Sequence, residues 1–266
     1  MAEEADFLHQ IEYRWHVARD MSPLASSMAP EPLRGWDSWI RPWVCHPNAD
    51  EPSESLCYQI HSSGRAALAW RYRNPQVAEP EDGTRGRPLV SRVLAGQASL
   101  LTPEVAIALC YTGLPTTVGP RPGQVTAGTI LPVVSAGELI ALVRERAEGL
   151  DREAARESSL LQQGVASMLS EPDIPLAVAL PVSYISGPPE KGPQCLLLWG
   201  LRRILRPLLG TTRRGWSFST FEPPLGVTDP AILPDIVFRI AQKAAAPPNR
   251  WRREVKCRPF TPMSLL

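Results

Sequence analysis

Proline sets the first limit on how this chain can fold. Pro occupies 29 of the 266 positions, about twice the usual share. Each Pro removes a backbone donor and fixes φ, so helices and strands should be short and joined by stiff connections. Within that limit, 44% of residues are apolar and 21% charged, enough to bury a core and too apolar for a disordered chain. No apolar run approaches the roughly 18 residues of a membrane span, and the opening MAEEADFLHQ has the wrong chemistry for a secretory signal. The expectation is a soluble, cytoplasmic globular protein. The 5 Cys form an odd, irregularly spaced set, which points to reduced, mostly buried thiols rather than a disulfide framework.

Periodicity divides the chain into strands, then helices, then strands. Alternation over Phe7–Val17 reads as a strand, followed by a loop holding Pro23, Pro30 and Pro32. Trp36, Trp39 and Trp43 share one face of a short helical turn, Gly35–Val44, interrupted by Pro42 and offering aromatic core anchors. Leu56–His61 and Arg65–Tyr72 flank Ser62-Ser63-Gly64 as a hairpin, and Leu89–Leu94 reads as another strand. Thr102 before Pro103 and Glu104 opens a helix that ends near Gly113. The Gly/Pro-rich 113–128 segment lacks the Gly-Lys-Ser/Thr ending of a phosphate loop.

Ser135 and Glu138 have capping-box spacing. Leu139, Leu142, Val143 and Leu150 share the face of the helix they would open, and a second helix is expected from Asp151 to Ser170. After a short strand at Pro175–Val182, a third helix spans Pro193–Leu209. There Leu197, Leu198, Leu201, Ile204, Leu205 and Leu208 oppose Arg202, Arg203 and Arg206. Gly215–Phe221, Ile236–Ala241 and Arg252–Phe260 are β-prone. The class is α+β, with strands at both ends of the chain and a helical middle section. Residues 1–132 form a mainly β region and 133–266 a helical segment followed by C-terminal strands, with one continuous domain as the alternative.

Charge is segregated along the chain although the net is only +1. Residues 1–190 carry 15 Arg against 23 acidic groups, whereas 191–266 carry 13 basic against 4 acidic groups. Such a chain either pairs with itself or offers two faces to different partners. Arg202, Arg203 and Arg206 on the third helix, with Arg213 and Arg214 in the turn beyond, are the candidate partner-binding residues. Because Trp216 and Trp251 accompany these cations, nucleic-acid binding is the alternative.

Catalytic signals are weak. All four His (His9, His16, His46 and His61) fall in the first 61 residues, with no Gly-x-Ser-x-Gly elbow and no His-Glu-x-x-His helix. Cys45, His46, Cys57 and His61 are the one local group with ligand chemistry. Cys57 and His61, four apart on a strand, would stand about 13 Å from each other, too far to share one zinc. No catalytic residue, metal or cofactor is expected, and a Cys/His-dependent enzyme remains the second alternative.

Several phrases carry a resemblance. They are YRW (Tyr13–Trp15), ALAWRY (Ala67–Tyr72), RPLVSRVLAG (Arg87–Gly96), LLLWGLRRILRPLLG before and including Gly210, GWSFSTFE (Gly215–Glu222) and LPDIVFR (Leu233–Arg239). Their general run resembles the GTPase-associated proteins of bacterial NTP-dependent conflict systems. That resemblance implies a component acting beside a GTPase or MoxR-type ATPase in defence or signalling, with a binding role and no catalytic residues to carry over. The leading expectation is a non-enzymatic, protein-binding adaptor or scaffold.

Overall fold

The computed structural model describes residues 6–16, 20–44, 54–73, 89–112, 125–171, 174–181, 192–209, 216–222, 234–240 and 254–256. Five strands come first in space as an antiparallel array. β1 (Phe7–His16) pairs on one side with β2 (Asp20–Ser26) and on the other with β5 (Leu89–Gln97). Beyond β5 lie β4 (Arg65–Arg73) and β3 (Glu54–Ile60). The β3–β4 hairpin turns where the sequence predicts, with Gly64 at φ +80° and its N–H donating to the His61 carbonyl at 3.0 Å. A side chain at that φ would be strained, so Gly suits the position.

The C-terminal strands extend the same sheet. β8 (Phe218–Ser219) pairs antiparallel with β3, and β9 (Ile236–Ile240), β7 (Leu176–Leu180) and β10 (Glu254–Lys256) follow in parallel. The order is β10-β7-β9-β8-β3-β4-β5-β1-β2, with the two-residue β6 (Val134–Ser135) attached to β1. One sheet therefore crosses the expected 132/133 boundary, and the α+β class stands, with strands at both ends around the helices.

The alternation of side chains gives each strand two unlike faces. On one face Leu8, Leu56, Tyr58, Leu68, Val90 and Leu94 join Val178, Phe218 and Phe238 in the main core. That face is covered by α2 (Pro103–Thr112), α3 (Ala136–Ala154), α4 (Ser158–Ser170) and α5 (Pro193–Leu209). On the opposite face Ile11, Tyr13, Met21, Ala67, Ala69, Val93 and Ala95 pack beneath α1 (Pro30–Val44) through Ile40 and Val44. Within the helical layer α4 and α5 approach closely. A Cβ on Gly200 would stand 3.2 Å from Leu161 Cγ, and one on Gly164 would stand 3.0 Å from Leu201 Cδ2.

Several local expectations change in the structure. Asp20–Ser26 is a strand despite Pro23; it lies at the sheet edge, where a missing N–H need not cost a ladder bond. The first helix begins at Pro30, five residues before Gly35, because Pro suits the first helical position and Glu31 complements the dipole there. Pro42 does not end the helix, which runs on to Val44. Trp36, Trp39 and Trp43 are half-buried at the rim rather than core anchors.

Thr102 caps α2 as predicted, accepting from Val105 N–H at 3.4 Å. Ser135 is the N-cap residue of α3 but makes no side-chain cap bond, so the capping box is not formed. Asp151 lies inside α3 rather than opening the next helix; a 3-10 turn at Ala155–Glu157 makes the joint to α4. Cys110 and Cys195 are joined in a disulfide between α2 and α5, with Cα atoms 6.3 Å apart, in place of the two reduced thiols expected.

Candidate interaction surface

The predicted helix over 193–209 forms with the same limits, and its arginines are held by carboxylates of the earlier helices. Glu104 on α2 accepts from Arg202 Nε at 2.9 Å and from Arg206 Nη1 at 3.2 Å. Asp151 on α3 takes Arg203 as a fork, Nε to Oδ1 at 3.1 Å and Nη2 to Oδ2 at 3.2 Å, while also accepting from Trp199 Nε1 at 2.7 Å. The Arg202 guanidinium additionally lies 5.0 Å from the centre of the Trp216 ring, within cation–π range. Part of the segregated charge is thus complementary inside the fold. Arg202 is spent there, its side chain only 13% exposed, whereas Arg203 and Arg206 remain 59% and 65% exposed. Ile204, expected on the apolar side, is instead 44% exposed. Arg213 and Arg214 lie outside the described residues.

The Cys/His group separates into ordinary contacts. Cys57 is buried in β3, where desolvation pushes its thiol up to about 12, the reverse of what a nucleophile needs. His61 Nδ1 lies 2.7 Å from Ser63 Oγ, and its ring stands edge-on to Trp39 at 5.2 Å. His9 Nδ1 lies 3.1 Å from Ser27 Oγ. Cys45, His46 and the side chain of His16 lie outside the described residues. Among the described residues no three His, Cys, Asp or Glu side chains stand together as metal ligands, and no helix is long and apolar enough to cross a membrane.

Two buried charge clusters escaped sequence reasoning. On the helix-covered face, Glu12 of β1 sits opposite Arg92 of β5. Its carboxylate accepts from Arg92 Nε at 3.2 Å and from Arg14 Nη2 at 3.1 Å, while Gln10 Oε1 accepts from Arg92 Nη1 at 3.1 Å. The 125–132 segment closes over this cluster, Val125 O accepting from Arg14 and Pro132 O from Gln10. Beside it Trp70 and Tyr72 stack with ring centres 4.0 Å apart.

On the α1 face, Arg71 of β4 donates to Ser55 Oγ (3.0 Å), Ser219 Oγ (2.9 Å), the Phe221 carbonyl (3.0 Å) and Glu222 Oε1 (3.2 Å). Ser91 Oγ donates to Val44 O at 2.8 Å, fastening the end of α1 to the sheet. The available signal was an Arg inside an otherwise apolar strand pattern, ALAWRY and LVSRVL. A buried guanidinium must be paired.

A groove runs between α1 and the edge strand β2. Its charged part, about 610 Å³, lies between Ser22 and Pro23 on the strand and Leu33, Arg34, Asp37 and Arg41 on the helix. A smaller, apolar part of about 380 Å³ shares Pro23, Pro30 and Leu33 and ends at the Gly128–Ile130 turn. That turn docks on β2 through backbone bonds, Gly128 N–H to Leu24 O at 2.9 Å and Leu131 N–H to Ser26 O at 3.2 Å. Behind the groove burial, and next the Asp37 carboxylate, raise the Tyr13 hydroxyl, so it stays protonated under α1. No family model, curated protein or solved structure matches this chain.

Proposed function

We propose that the chain is a non-enzymatic protein-binding adaptor of a bacterial NTPase-associated system, with a GTPase or MoxR-type ATPase as its partner. The observation that supports a binding role most directly is the outer arc of α5. Arg203 and Arg206 are neighbours on one side of the helix, 59% and 65% exposed, and Ile204, next to Arg203 around the helix, is 44% exposed. An exposed aliphatic side chain next to exposed Arg is a composition found in protein contacts, where Arg and apolar atoms are enriched. Asp151 and Glu104 hold the two guanidiniums from beneath, which lowers the entropy lost when a partner engages their remaining N–H groups.

The same carboxylates weigh against the nucleic-acid alternative, since a phosphate would have to compete with them for Arg202, Arg203 and Arg206. The enzyme alternative would have to do without Cys57, which is held as a buried thiol. The bacterial setting and the kind of partner rest on the resemblance carried by the motifs quoted above.

The test is co-purification from the native host with nuclease treatment and mass spectrometry, using wild type and the Arg203→Glu/Arg206→Glu variant. A reproducible protein partner retained by the wild type and lost by the variant is expected. Recovery of nucleic acid alone, or of no partner, would overturn the reading.

A further inference from the structure

We propose that the groove between α1 and β2 binds an extended peptide that is acidic at one end and carries a large aliphatic side chain at the other. The inference rests on the reading of the chain as a binding module, but it concerns a different surface from the α5 arc.

Three observations determine the occupant. The first is charge. Arg34 is exposed and lines the wide part of the groove, and among the described residues it has no hydrogen bond or ion pair. Its neighbour Arg41 is already bound to Asp37. The groove thus offers one uncommitted guanidinium, suited to a carboxylate.

The second observation is the far end, where Ile130 is 85% exposed at the rim of the apolar part. A large aliphatic side chain so exposed beside Pro23, Pro30 and Leu33 gains only if an apolar group covers it.

The third is shape. The two hollows share Pro23, Pro30 and Leu33 and form one trough between α1 and β2, whose outer edge is taken at Leu24 and Ser26 by the 128–131 turn. Troughs between a helix and a sheet edge accept extended chains, whose alternate side chains reach successive pockets. Pro23 lacks an N–H and the 128–131 turn takes the backbone groups of Leu24 and Ser26, so strand addition along β2 is closed and the peptide is read through its side chains. Recognition therefore falls to the two end contacts, and the peptide reads Arg34 at one end and Ile130 at the other.

The probe is a phage-displayed library of random dodecapeptides panned on the intact chain, followed by fluorescence anisotropy of the enriched peptides. The expected consensus holds Asp or Glu separated from Leu, Ile or Phe. Arg34→Glu and Ile130→Glu, both surface changes that leave the fold intact by thermal melting, should each weaken binding by about tenfold or more. The α5 variant Arg203→Glu/Arg206→Glu should bind the peptides as the wild type does, so this proposal can fail while the α5 reading survives, and the reverse. No enrichment, or enriched peptides indifferent to both groove variants, would overturn the proposal. So would a concentration-dependent dimer in sedimentation that Ile130→Glu dissolves, because a second copy would then fill the groove.

Discussion

Replacing Arg71 with Ala should be among the most costly single changes in this protein. The guanidinium is 2% exposed, and it serves two strand hydroxyls, the Phe221 carbonyl and the Glu222 carboxylate. Its removal leaves Glu222, itself only 7% exposed, without its countercharge. Breaking a buried pair from one side costs about 3–5 kcal/mol, against a total stability of about 5–15 kcal/mol for a typical domain. The Arg71→Met/Glu222→Leu double variant should recover most of that loss, since neither charge is then stranded. Glu222→Gln, which keeps an acceptor, should cost about 1–2 kcal/mol. Urea denaturation followed by tryptophan fluorescence reads all three, with m unchanged if only stability moves. A loss below about 1 kcal/mol for Arg71→Ala, or a double variant no better than the sum of its singles, would refute the reasoning.

Three further outcomes rest on other contacts of the core. Cys57 has its pKa raised from 9.0 to about 12, so the native state holds this proton more tightly than the unfolded chain. Its contribution is whole below about pH 9 and is lost as pH rises toward 12, at up to about 1.4 kcal/mol per unit; urea titrations across that range should be flatter in Cys57→Ala. Cys110 and Cys195 close a loop of 85 residues; a Cys110→Ala/Cys195→Ala variant should lose about 2–4 kcal/mol, and mass spectrometry of the non-reduced protein should show the bridge. Tyr58→Phe, which removes the donor to Leu101 O at 2.7 Å, should cost about 1–1.5 kcal/mol in the same urea assay.

The sequence made regular elements legible wherever a single period ran uninterrupted. The α5 limits, the β3–β4 hairpin and the Thr102 cap follow from apolar spacing, Gly64 and Pro103. Position in the sheet was not legible, and Pro23 shows the reason: Pro forbids a central strand but permits an edge, and a chain gives no sign of which it will become. Arg71 and Arg92 stand in strands that read only as β-prone, and both are buried because their counterions, Glu222 and Glu12, arrive from distant segments. The α5 arginines show the converse. Their polar face was correct, but their partners Glu104 and Asp151 became visible only once α2 and α3 packed beside α5. Cys110 and Cys195 looked like separate core thiols for the same reason.

The α5 arginines fasten the helical layer from within, leaving Arg203 and Arg206 as the exposed part of the cluster. A double-mutant cycle between Glu104→Gln and Arg202→Met, measured by urea denaturation, tests it most directly. Both side chains are largely buried, at 19% and 13% exposure, so a coupling of about 1–2 kcal/mol is expected, between the exposed and buried limits. The exposed Asp151–Arg203 pair, measured beside it, should couple by less than about 1 kcal/mol. No coupling between Glu104 and Arg202, with each single change neutral, would show that the arginines do not fasten the layer and would contradict the account.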